Sequence, residues 1–392
     1  MAGVHALGYS IPTPIQLQTI PPIMQGQDVI GLAQTGTGKT AAFVLPILER
    51  LRSGPRGCVR ALIISPTREL AEQTCEVINK LGSKTGLQSV SIYGGVSMEQ
   101  QNRKLRSGVE IVVACPGRLL DHLWKGTISL PALEILVIDE ADRMFDMGFL
   151  PDIRKILGCI LHKHQTLLFS ATMPADIRRL VREILHNPVT VQIDHTMPAK
   201  TVSHALYPVQ QHLKTTLLKE LLNKIKTDSV LVFTRTKHRA ERVAQQLVRA
   251  GYRVTSLQGN LSQNQRDVAL RGFRNGSIKI LVATDIAARG IDILSISHVI
   301  NYDMPESTDD YIHRIGRTGR VEKNGEALTF VTNADAGKIR ALEQLLNAPL
   351  ERLKLQGFDY SESAPDIEPR HSQQPRRRIV KKQGISKQMA LK

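Results

Sequence analysis

The stretch DVIGLAQTGTGKT, residues 28–40, constrains the fold more than any other part of this chain. Residues 28–32 read as a short apolar strand, 33–38 as a loop of small residues, and 39–51 as a helix with one apolar face. Strand, small-residue loop and helix in that order are what a phosphate-cradling turn requires. Glycine at 36 and 38 lets the backbone curl so that successive N–H groups converge on an anion, and the helix start adds its positive dipole end. With Ala33, Gln34, Thr35, Gly36, Thr37 and Gly38 forming the cradle, Lys39 is placed to reach terminal phosphates and the Thr40 hydroxyl to ligate magnesium. The pattern departs from G-x-x-x-x-G-K-[ST] at its first position, where this chain has Ala33.

Further apolar runs end in polar loops: residues 60–65 lead into PTREL, 88–93 into GG, 110–115 into PGR, 134–139 into EAD and 165–170 into AT. Helical patterns such as 69–81 and 174–185 separate them. This alternation predicts a parallel sheet covered on both faces, with ligands at the carboxyl ends of its strands. Residues 187–203, with Pro188 and Pro198, loosen into an expected linker. The rhythm then resumes with strands at 229–233, 253–257, 278–283, 297–301 and 327–331 and helices at 237–249 and 262–273. The expectation is an α/β fold of two tandem domains, 1–197 and 198–348, each a mainly parallel sheet with helices on both faces. The second lacks a phosphate loop. Residues 349–392 read as a polar, basic, disordered tail, either a solvated run of charge or a source of nonspecific phosphate affinity.

A net charge of +16 calls for an acidic partner, nucleic acid or an anionic membrane surface. No apolar run approaches the ~20 residues of a membrane span. Four scattered cysteines without a C-x-x-C pair indicate neither a zinc knuckle nor a disulfide framework, and a reducing, cytoplasmic setting is expected.

A bound triphosphate needs one carboxylate to hold its metal and another to handle water. ILVIDEAD, residues 135–142, offers both at the end of an apolar strand: Asp139 for the metal, Glu140 to orient and deprotonate the attacking water. Adjacent residues of a regular strand point to opposite faces, so the strand must end here for both to meet one phosphate.

DEAD at 139–142, with AQTGTGKT before it and SAT at 170–172 after it, resembles the DEAD-box family of ATP-dependent RNA helicases over residues 8–348. Compact length and general likeness favour the bacterial RhlE-type subgroup. The resemblance implies RecA-like domains and an RNA-stimulated ATPase that uses ATP and Mg2+ and opens short RNA duplexes, in ribosome assembly or RNA turnover. It implies that Gln16 reads adenine and that Gly290 and Asp292 sit near the nucleotide. Pro66, Thr67, Arg68, Gly95, Pro116, Gly117 and Arg118 would contact RNA backbone from one side. Arg235, Thr236, Gly259, Arg266 and Thr284 would do so from the other. Arg317 and Arg320 of HRIGRTGR would reach the γ-phosphate, and Asp142, Ser170, Thr172 and His313 would couple the two sites.

Two departures from the family pattern stand out. The usual upstream adenine-stacking aromatic has no counterpart in the few residues before Gly8, which predicts weaker adenine affinity, and Cys115 replaces a common threonine before PGR. Aromatic residues, 4% of the chain, are too few for a stacking platform, and Trp124 is expected to pack beside a helix. An ATP-gated RNA clamp with incidental turnover and a DNA translocase of the same broad superfamily remain competing readings.

Overall fold

The computed structural model describes residues 3–4, 10–34, 36–193, 202–225, 229–288, 296–318 and 325–362. Gly8, Thr35, Gly290, Asp292, Arg320 and the basic segment beyond 362 lie outside the described residues.

The first half opens with α1 (Pro14–Met24), whose Thr13 and Gln16 form a capping box. It continues through β1 (Val29–Leu32), α2 (Lys39–Leu51), β2 (Ala61–Ile64), α3 (Arg68–Leu81), β3 (Ser89–Ile92), α4 (Met98–Arg106), β4 (Ile111–Ala114) and α5 (Pro116–Trp124). Then come β5 (Ile135–Asp139), α6 (Ala141–Asp146), α7 (Leu150–Gly158), β6 (Gln165–Ser170), α8 (Ala175–Ile184) and β7 (Val189–Gln192). The strands form one parallel sheet in the order β3-β4-β2-β5-β6-β1-β7. Central strands such as ALII, IVVA and ILVID are buried along their whole length, as expected where helices cover both faces. Two apolar clusters, one on each side of the sheet, make that core.

The second half begins with β8 (Val202–Pro208), α9 (Lys214–Lys224), β9 (Val230–Phe233), α10 (Lys237–Arg249), β10 (Val254–Leu257), α11 (Gln263–Arg274), β11 (Ile280–Ala283) and α12 (Asp285–Ala288). It closes with β12 (His298–Asn301), α13 (Thr308–Ile315), β13 (Gly325–Val331), α14 (Ala336–Leu346) and β14 (Glu351–Arg352). Its parallel sheet runs β10-β11-β9-β12-β13-β8-β14, the same order as the first once seven is subtracted from each number. Among the described residues no helix is long and apolar enough to cross a membrane.

Three expectations change. The span 187–203 is not all linker: β7 occupies part of it, pairing with β1, and β8 starts at Val202. The tail does not begin at 349, because β14 adds to β8, and Leu353, Leu355, Phe358 and Tyr360 pack on the second core, the last two rings edge to face at 4.8 Å. Trp124 is not packed away but 67% exposed at the end of α5.

Candidate functional site

The loop between β1 and α2 turns as its glycines allow. Gly36 and Gly38 have φ of 88° and 92°, and a Cβ at Gly38 would collide with the Gln16 amide. Ala33 has no positive φ, so its methyl fits where the usual pattern has glycine. The Lys39 ammonium is buried and folded back, donating to the Ala33 carbonyl at 2.9 Å with Glu140 Oε1 at 3.9 Å. Thr37 Oγ1 donates to the Gln34 carbonyl at 2.8 Å. Gln16 is tied to the same loop: Nε2 donates to the Gly38 carbonyl at 3.1 Å while Oε1 accepts the Thr13 N–H at 3.0 Å. One N–H and one lone pair of the amide remain for a base edge.

The strand-end problem posed by Asp139 and Glu140 is solved by one backbone angle. Glu140 takes the left-handed conformation, φ 54° and ψ 52°, which stops β5 and starts α6. Such a residue costs on the order of 1–3 kcal/mol and occurs where surrounding structure enforces it. Asp139 and Glu140 are both buried, yet they titrate in opposite directions. Burial, then the Glu140 charge, pushes the Asp139 carboxyl up, and its Oδ1 has no hydrogen-bond partner. Burial also opposes charge on Glu140, but Arg143, Lys39, Arg317 and His313 together outweigh it and hold that carboxyl below the ordinary range. Arg143 Nη1 lies 2.7 Å from Glu140 Oε2. Arg317 and His313 belong to the second domain, so the two halves meet over Glu140. Arg317 is buried and donates from Nε to the His313 carbonyl at 3.3 Å.

The four expected coupling residues come together. Asp142 Oδ2 accepts the backbone N–H groups of Ala171 and Thr172 at 3.1 and 2.9 Å and the Thr172 hydroxyl at 3.2 Å. Ser170 Oγ accepts the Asp142 N–H at 3.2 Å and donates to the Thr172 carbonyl at 2.7 Å. Half-buried His313 is held below its ordinary value by burial, with Arg143 and Arg317 acting the same way and the Asp142 and Glu140 charges opposing.

The expected backbone-binding residues, apart from Arg266 on α11, lie at the carboxyl ends of three strands in each sheet. Pro66, Thr67 and Arg68 follow β2, Gly95 follows β3, and Pro116, Gly117 and Arg118 belong to the turn after β4. Arg235 and Thr236 follow β9, Gly259 follows β10 and Thr284 follows β11. Thr67 and Thr236 cap the next helix alike, accepting from the N–H of Leu70 and of Arg239. Cys115 starts α5 without capping it through its side chain, and burial pushes its thiol up to about 12.

Several of these arginines have protein partners. Arg68 Nη1 donates to Gln263 Oε1 across the domains at 3.0 Å, its guanidinium filling the space a Gly95 side chain would need. Arg266 forks onto Glu69 Oε1, also across the domains, at 2.9 and 2.6 Å. Arg235 pairs with Glu306 at 2.8 Å. Arg118 donates to the Val96 carbonyl at 3.1 Å and to Gln101 Oε1 at 3.3 Å; the same oxygen accepts buried His122 Nε2 at 3.0 Å, while Gln101 Nε2 donates to the Tyr93 carbonyl at 2.8 Å. This brace ties the GG loop to the PGR helix. Glu69, Arg143, Gln101 and His122 were not marked by the sequence; only the adjacency of Glu69 to Arg68 and of Arg143 to Asp142 hinted at two of them.

Residues 13–180 match the DEAD/DEAH box helicase family and residues 213–322 the helicase conserved C-terminal domain. The chain is 43% identical over 355 residues to the DEAD-box ATP-dependent RNA helicase CshA of Bacillus subtilis, covering 90% of this chain and 72% of that protein. Geobacillus kaustophilus CshA is 42% identical over 355 residues, covering 90% and 76%. Among solved structures, S. cerevisiae Dbp5 bound to RNA and ADP BeF3 aligns with TM-score 0.81 at 30% identity, covering 90% of this chain and 92% of that one. A DEAD box protein from Methanococcus jannaschii aligns with TM-score 0.51 at 34% identity, covering 90% and 96%. Two seven-stranded RecA-like sheets around a phosphate loop define a nucleotide-driven two-domain machine. The chain belongs to the DEAD-box family of ATP-dependent RNA helicases.

Proposed function

We propose that the cleft between the two sheets splits ATP when both domains close on it, and that a single strand of RNA laid across the ends of β2, β3, β4, β9, β10 and β11 favours the same closure. The observation that carries this reading is the meeting over Glu140: Lys39 from the phosphate loop lies 3.9 Å from one side of its carboxylate, and the positive charge of Arg317 reaches it from the other domain. Lys39 binds the terminal phosphates, Glu140 accepts the proton of the attacking water, and Arg317, with Arg320, meets the charge that builds on the transferring phosphoryl group. The buried, unpartnered Asp139 Oδ1 fits a cation held by Asp139 and Thr40. Bound there, Mg2+ would neutralise phosphate charge.

Arg68–Gln263 and Glu69–Arg266 are latches made only when the halves meet, so nucleotide and strand reinforce each other by reciprocal linkage. The likeness to Dbp5 bound to RNA and ADP BeF3 supports reading this arrangement as the closed one. Backbone contacts carry no base information, so the strand is gripped without sequence preference and short duplexes are opened locally. The RhlE-type placement draws no support from the relatives above; we place the chain beside the CshA-named proteins. Ribosome assembly or RNA turnover is the process we favour, and four free thiols support a reducing, cytoplasmic setting. Glu140→Gln should abolish RNA-stimulated phosphate release while sparing nucleotide binding; full turnover in that variant would refute the assignment.

A further inference from the structure

Helix α5 begins at the PGR turn and ends at the chain's single tryptophan. Gly117, Asp121 and Trp124 are its exposed residues, spaced i, i+4 and i+7, and therefore share one face. Seven residues of helix span about 10.5 Å, roughly three nucleotides at the ~3.4 Å spacing of a strand in duplex form. A strand that touches Gly117 and continues along this face reaches the indole next. Other large apolar side chains, such as Ile11 and Leu161, are also exposed, as single apolar residues on protein surfaces commonly are. Trp124 differs in its company: Lys155 Nζ stands 6.0 Å from its ring centre, and Lys125, the next residue, is exposed and reaches Met98 Sδ, three residues from Gly95. The one carboxylate on the stripe, Asp121, has Oδ2 3.5 Å from Arg118 Nε, and Lys155 also lies 3.4 Å from Asp152.

We propose that Trp124, flanked by Lys125 and Lys155, is a stacking site for one base of the RNA strand where it leaves the PGR lip. The site rests on the strand path described above and extends it by one contact. An exposed indole offers a π-face that takes any base, and cations beside it attract the phosphates on either side. A peptide partner would also bury an indole, but Lys155 beside the ring, exposed Lys125 next to it in the chain and continuity with the strand path favour nucleic acid.

Because there is one tryptophan, its emission reports this site alone. The measurement uses the full chain with ADP and beryllium fluoride, a short oligouridylate that saturates the stimulation of phosphate release, and the same strand lengthened by a few nucleotides at its 5′ or its 3′ end. One of the two lengthened strands, and not the other, should quench the emission and shield the ring from acrylamide. That strand should bind more tightly than the short one, by on the order of tenfold for one stacked base. In Trp124→Ala that advantage disappears, and in Trp124→Phe most of it stays. Equal acrylamide quenching with all strands, together with an undiminished advantage in Trp124→Ala, overturns the site and leaves the patch to a protein partner. If the short strand fails to stimulate phosphate release, the strand path itself falls and the site with it.

Discussion

Lys39 and Lys214 stand at the same place in two sheets of the same strand order, and the acidic residues they face are held in opposite ways. Each begins the helix that follows the sixth strand across, α2 after β1 and α9 after β8. Each faces an acidic residue from the strand two places away, Asp139 ending β5 and Asp303 shortly after β12. In the first domain Lys39 rests on the Ala33 carbonyl at 2.9 Å with Glu140 at 3.9 Å, but Asp139 Oδ1 is unpartnered, and burial raises that carboxyl. In the second, Lys214 donates to the Tyr302 carbonyl at 2.9 Å and lies 3.5 Å from Asp303 Oδ1. Asp303 also accepts Arg239 Nη1 at 2.7 Å and the Arg235 N–H at 3.0 Å. Burial alone would raise the Asp303 carboxyl, but these partners hold it low. The first domain leaves one carboxylate oxygen open where a ligand is proposed; the second closes its carboxylate with its own partners and, in the function proposed above, acts as the lid that brings Arg317.

The contrast can be tested from its strongest consequence down. Arg317→Ala should lower RNA-stimulated phosphate release by about 10³–10⁵, the range for such arginines, whereas Lys214→Met, at the matching place of the other sheet, should cost nothing comparable. Phosphate-release rates of the two proteins decide it; equal losses would mean that the second domain also handles the nucleotide.

Removing Asp303 strands Lys214 and Arg239, so Asp303→Asn should lose about 3–5 kcal/mol in urea unfolding. Asp139→Asn, which removes a buried carboxyl that has one unpartnered oxygen and the Glu140 charge beside it, should unfold at the same urea concentration as the parent protein or a higher one when no nucleotide or metal is present. The same loss in both variants would erase the distinction.

The latches allow a smaller test. Glu69→Gln and Arg266→Gln should each weaken strand-stimulated turnover by on the order of tenfold, and the double variant should be little worse than either. Simple multiplication of the two losses would show that the pair does not act across the cleft.

The smallest effect is one of pH. His313 is held below its ordinary 6.5 in the closed cleft, so closure is fully favoured above about 6.5 and weakens as pH falls below it and the open form takes up the proton. RNA-stimulated turnover should drop a few-fold over that acid limb in the parent protein, and His313→Gln should flatten it. A limb that persists unchanged in the variant would assign it to another group.

What was legible in the sequence was whatever repeats locally. Helices at 39–51 and 237–249 match the apolar spacing residue for residue, and the buried central strands fall within a residue or two of their expected ends because aliphatic runs leave little choice. The edge strand β7 was lost because it is half exposed and alternates valine with polar residues beside Pro188. The segment at 353–360 was lost because Leu353, Leu355, Phe358 and Tyr360 follow neither period. In the site, phosphate loop and acidic pair announce themselves, being short and contiguous. Glu69 with Arg266 does not, since 197 residues separate them and neither carries a local sign of the other. Trp124 was misjudged because one large ring near a helix end says nothing about which side of the helix is covered.

The left-handed turn at Glu140 is held in place by the charges its side chain meets. Glycine there would relax the main chain but strand the buried Arg143 guanidinium, 2.7 Å from the Glu140 carboxylate, together with Lys39. A screen that rewards only heat resistance should therefore leave the strained residue in place even when turnover is not selected.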